Sequence, residues 1–216
     1  MDENGGSAGE PTAATVSFVT TEHFTLQGAR SQTISESTGR VSVFLATVSG
    51  GLVALGLMAT ATHIGTAFYA LALPLLLTMT FVGVVTFDRV LQTGLEDLGY
   101  ATRIARLRGF YFEHAPEVGA YLLSVPPERR VRVQGLRGGW WQHFLTVAGM
   151  TAVITSVLAG AGVALLVAIL SGHSLAAALV AGGVVGVATL ATLTRRQHVA
   201  WRAVEAEERA RADASL

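Results

Sequence analysis

Two Glu-His steps, Glu22 with His23 and Glu113 with His114, are the residues of this 216-residue chain best suited by type to hold a metal ion. Imidazole and carboxylate are common zinc ligands. Their spacing argues against that use: adjacent residues on a helix point about 100° apart, and the His-Glu-x-x-His spacing that sets two imidazoles on one face is absent. The chain has no cysteine, which removes disulfides, thiolate metal ligands and a thiol nucleophile together. Arg108, Gly109, Phe110, Tyr111 and Phe112 imitate the start of an RNA-binding RNP1 strand. The imitation fails at Tyr111, where a small residue belongs, and at Glu113, where an aliphatic one does. Neither a cofactor nor a nucleic acid is expected.

The remaining candidates lie in apolar sequence. Thr47, Thr60, Thr78, Thr86, Thr146, Thr151, Thr155, Thr189 and Thr192 carry hydroxyls that could line a water path. The competing use is a bond to the helix's own backbone. Gly182 and Gly186 form a GxxxG pattern that Ala178 extends by a turn; small residues let two helices approach closely, within one chain or between subunits. Pro74 removes a backbone donor in mid-helix, giving a kink or a hinge. His63 and His173, one in each hairpin turn, could serve as pH sensors, the alternative being plain turn residues.

The elements that position these residues are set by two long uncharged runs. Val41 to Phe87 contains no Asp, Glu, Arg or Lys over 47 residues, and His143 to Thr194 contains none over 52. One crossing of a bilayer needs about 20 apolar residues, and a single helix of the first run would be roughly 70 Å long against a hydrocarbon core of about 30 Å. Each run therefore crosses, turns and crosses back. Breaks at His63 to Thr66 and at Ser171 to Ser174, with Ser174 as an N-cap, divide them into crossings at 41–62, 65–87, 143–170 and 174–194. The composition agrees: 51% hydrophobic, 14% charged, mean hydropathy +0.50.

The expected fold is all-α, an integral membrane protein of two transmembrane hairpins with cytoplasmic helical extensions. Residues 1–19 read as a disordered tail with no signal peptide. Residues 20–142 hold a cytoplasmic helix, the first hairpin and a helical loop; 143–194 hold the second hairpin, and 195–216 a cytoplasmic helical tail. All 15 basic residues are arginine, as in a GC-rich bacterial genome, and every one lies in the N-terminal, central or C-terminal segment. By the positive-inside rule both termini are cytoplasmic and the hairpin turns face outward. Trp140, Trp141 and Trp201 flank the third and fourth crossings, where indoles anchor at the headgroup level.

Thr21 to Arg40 is predicted to run into the first crossing as one helix, a fresh start at a Thr33/Glu36 capping box being the alternative. After the second crossing, Leu91, Leu95 and Leu98 form one helical stripe and Tyr100, Ile104, Leu107 and Tyr111 another, offset at Gly99, until Pro116 ends the helix. Two apolar stripes need two partners, so the extension is expected to pack on the N-terminal helix and on another element or subunit.

Two stretches, EHFTLQGARSQTISESTGR at 22–40 and DRVLQTGLEDLGYATRIARLRGFYFEHAPE at 88–117, resemble an uncharacterised family of small actinobacterial-type membrane proteins with four transmembrane helices. The resemblance implies an inner-membrane protein with cytoplasmic helical extensions and brings no catalytic residues. The layout is also similar to SLATT-type effectors, which implies an oligomeric pore. With no Asp, Glu, Arg or Lys in any crossing, ion-coupled transport is disfavoured. The expected function is a non-enzymatic, oligomeric, channel-like membrane protein, the alternative a scaffold presenting its cytoplasmic helices to a protein partner.

Overall fold

The computed structural model describes residues 11–62, 64–115, 144, 146–172 and 174–213, and every regular element among them is helical. Helix α1 spans Ala13–Thr62, α2 Thr66–His114, α3 Val147–Leu170 and α4 Leu175–Asp213. All four are long and apolar enough to cross a membrane.

Helix α1 starts inside the segment read as a tail. Thr12 is the reason: its Oγ1 accepts the Thr15 N–H at 3.2 Å, satisfying one of the donors that a helix start leaves open, and Ala13 and Ala14 follow as strong helix formers. The alternative start at Thr33 is not used. Thr33 is buried, and its hydroxyl donates back to the Arg30 carbonyl at 2.8 Å, so α1 is continuous through it. Helix α2 likewise passes through Pro74 and Gly99 without a break and ends at His114, one residue before the Ala115 that precedes Pro116. Thr146 moves the start of the third apolar helix to Val147, because its hydroxyl accepts the Gly149 N–H at 3.0 Å and caps it. Ser174 precedes α4, and the Ala178 N–H donates to its carbonyl at 3.1 Å. In the intervening turn Gly172 adopts φ 63°, a conformation that costs glycine least.

The helices form a row. Helix α1 packs antiparallel along α2, α2 along α3 and α3 along α4, while α1 and α4 at its two ends share no comparable contact. Near the middle of the apolar spans Phe44, Val48, Leu76, Met79 and Leu158 make one core cluster; toward the arginine-rich end Phe87, Val90, Leu91, Ala148, Ala152 and Leu193 make another. Gly83 lies where three helices meet, flanked by the Phe44 ring and the Thr155 hydroxyl. Between α3 and α4 the approach is backbone to backbone. A Cβ on Gly160 would stand 2.7 Å from the Gly182 carbonyl oxygen, and one on Gly182 would stand 2.6 Å from that of Gly160.

Both obstacles are backbone, so neither can swing aside. Gly160→Ala and Gly182→Ala are each expected to destabilise the protein by roughly 1–3 kcal/mol, read as a lowered thermal midpoint in detergent. Gly183→Ala, which adds a methyl to open space, should stay within about 0.5 kcal/mol of the parent. Equal midpoints for Gly182→Ala and the parent would remove this contact from the account.

Candidate functional site: a polar collar and a helical stalk

Helices α1 and α2 continue past the apolar spans as an antiparallel pair, here termed the stalk. Residues 13–40 and 88–114 extend it by roughly 40 Å at 1.5 Å per residue. Its apolar seam is built from Leu26 on α1 and from Leu98, Ala101 and Ile104 on α2. Leu91 is also buried, within the cluster that α3 and α4 complete. Both stripes of α2 are therefore used largely inside the chain.

Polar residues cross the seam at fixed levels. Arg30 grips Asp97 with two donors, Nε to Oδ1 at 2.7 Å and Nη2 to Oδ2 at 3.3 Å. Lower down, one oxygen of Glu36 accepts from Arg89 Nε and from Arg40 Nε, each at 2.9 Å. The Arg89 and Arg40 hydrogen bonds hold the Glu36 carboxyl below its ordinary pKa, and that same bond to Glu36 raises Arg89. Pairs this close to solvent are too weak to hold the helices together, but their directional geometry favours one register over others.

At the level of Glu36 the other helices join. Arg196 on α4 meets Asp88 at 3.2 Å. Gln197, 1% exposed, donates from Nε2 to the Thr146 hydroxyl at 3.0 Å, tying α4 to the cap of α3. These residues form a collar around the ends of the apolar spans. Just beyond it the Trp201 ring packs against Gly94 and the lower core cluster, with Nε1 buried and unpartnered. Part of the indole expected at an interface is thus spent inside the bundle.

At the far tip the Thr20 and Tyr111 hydroxyls are 3.2 Å apart, and His23 meets the Tyr111 ring edge-on at 6.4 Å. The Gln27 amide donates to His23 Nε2 at 2.8 Å, which leaves the proton on a buried Nδ1 with no partner. Burial, and then the nearby Arg108 guanidinium, hold the imidazole below its ordinary value. Phe18, Phe24 and Ile34 on α1 are open, Phe18 at 76%. Ile34 also lines an open groove of about 370 Å³, together with Gln27, Arg30, Ser31, Ile104 and Arg108.

The other residues singled out in the sequence fall as follows. Gly182, Gly186 and Ala178 lie on the face of α4 that meets α3, with Gly186 over the Ser156 carbonyl. Pro74 is exposed within α2, and its carbonyl accepts the Thr78 hydroxyl at 2.8 Å. Thr47, Thr60, Thr151, Thr155 and Thr192 likewise donate to carbonyls of their own helices. Among the described residues no three His, Asp or Glu side chains converge as metal ligands. His63, His173, Trp140, Trp141 and the central segment 116–143 lie outside the described residues. Arg30 with Asp97, Asp88 with Arg196, and Gln197 were not singled out. Their signal was positional: Arg30 falls between Leu26 and Thr33 on a 3–4 seam.

No protein family, curated protein or solved structure matches this chain, so the resemblance at residues 22–40 and 88–117 lends no residue a role.

The pKa directions set the acid behaviour. His23 binds its proton less readily folded than unfolded, so its contribution is complete above 6.5 and is lost as the pH falls through its lowered folded value. Glu36 behaves alike from 4.5 downward. The unfolding midpoint should drop between pH 7 and 5, and His23→Phe should flatten that drop while leaving the fall below pH 4.5. A variant as steep as the parent between pH 7 and 5 would discharge His23.

Proposed function

We propose that the chain is a non-enzymatic, multi-pass protein of a bacterial inner membrane whose stalk, on the cytoplasmic side with both termini, presents a helical surface to a protein partner. At most 33% of the most apolar stretch of any helix is buried inside the chain, so most of that surface needs an apolar surrounding. The arginines gather at one end of the spans, the side that faces the cytoplasm under the positive-inside rule. Phe18, Phe24 and Ile34, uncovered on a stalk that stands in water, carry the scaffold reading.

Two experiments test it. A cysteine at Thr66 or Ser171 should react with an impermeant reagent from outside intact cells, and one at Arg130 should not; the reverse pattern inverts the topology. Phe18→Ser with Phe24→Ser should weaken capture of the crosslinked partner tenfold or more, since each buried Phe contributes about 1.5–3 kcal/mol. Unchanged capture by this variant, with helicity intact, would sink the scaffold reading.

A pore of several copies is the second reading, favoured by the open row, whose end helices α1 and α4 do not close on each other. Within one chain Phe44, Met79 and Phe87 fill the interior, so any water path needs more than one copy. Liposomes holding the purified protein that pass no ions or small solutes, together with a monomeric mass in detergent, would exclude it.

A further inference from the structure

We propose that the collar is a recognition surface for the headgroups of anionic phospholipids, a proposal that rests on the membrane reading above. Its level is defined by bonds between helices: Glu36 to Arg89, Asp88 to Arg196, and Gln197 to Thr146. Among the described residues four guanidinium groups stand there, Arg40 on α1, Arg89 on α2, and Arg195 and Arg196 on α4, against the two carboxylates Glu36 and Asp88. A single oxygen of Glu36 serves both Arg40 and Arg89, so the layer keeps an excess of positive charge.

That excess is turned outward. The Arg40 and Arg196 side chains are 49% and 55% exposed, and Arg195 is exposed with no partner among the described residues. On the apolar side of these groups lies uncovered hydrocarbon, Val43 three residues from Arg40 on α1, and Ala191, Ala188 and Val187 within eight residues of Arg195 on α4. Guanidinium above open hydrocarbon is the mirror of a phospholipid, which carries phosphate above an acyl chain. The planar fork of arginine matches phosphate oxygens in pairs, and basic residues beside a span are attracted to an anionic leaflet. The hydrocarbon half of this surface is what selects a lipid over a free phosphate.

The test uses the full chain in vesicles of phosphatidylcholine mixed with phosphatidylglycerol, with the bromine placed on one lipid or the other and tryptophan quenching as the readout. Phosphatidylglycerol should be preferred on the order of three- to tenfold, less at high salt. Arg40→Gln with Arg195→Gln should bring the ratio toward one, while Arg103→Gln, which removes an exposed charge on the stalk, should leave it unchanged. A ratio of one in the parent protein overturns the proposal, as does an equal loss in Arg103→Gln or full competition by soluble glycerol phosphate. A chain that fails to float with vesicles of either lipid refutes the membrane reading itself, a result distinct from insertion without preference.

Discussion

Two helices of 50 and 49 residues lying side by side can slide by two turns and lose little apolar contact, so their register has to be held by something directional. In this chain Arg30 on Asp97 and Glu36 on Arg89 hold it. A slip of seven residues, about 10 Å, would break both of these pairs. The same register sets the Phe44 ring beside Gly83 and brings Tyr111 to Thr20. Because α3 reads its position from α2 at Gly83, and α4 reads its own from α3 at Gly160, the whole row inherits an alignment made outside the apolar spans.

Energy and alignment come from different residues. Burial of Phe44, Met79, Phe87 and Leu158 supplies attraction without direction. Where apolar surroundings would weaken that attraction, backbone contact between small residues takes over, as at Gly160, Gly182 and Gly186. Ion pairs then act where they cost least to desolvate, at the polar ends. Gln197 is the exception. It is fully buried, and its amide donates to the same Thr146 hydroxyl that caps α3.

The apolar runs told most of the fold in advance, since absence of charge over more than twice the length of one crossing admits few arrangements. The breaks near Gly65 and Gly172 were legible for the same reason: turn residues stand out against Leu, Ala and Val. The start of α1 was hidden, because Ala13 to Thr25 mixes threonine and valine without an apolar stripe and gains its order from Thr12 and from α2. The seam partners of the stalk were hidden too. Asp97 and Glu96 look alike in sequence, yet Asp97 is the one that takes the Arg30 hydrogen bond across to α1, and pairing alone tells them apart. The GxxxG pattern was visible, but whether Gly182 would meet Gly160 or another copy is a question of topology that spacing alone leaves open.

Helix α2 passes from the three-helix contact at Gly83 to the tip at Tyr111 with no turn, bulge or cap between. The 28 steps from one to the other make a rod of roughly 42 Å. A tilt of about 10° at the fulcrum would carry the tip through roughly 7 Å, more than one helical pitch. A small change of tilt among the apolar helices would thus be felt most at the far end of the stalk.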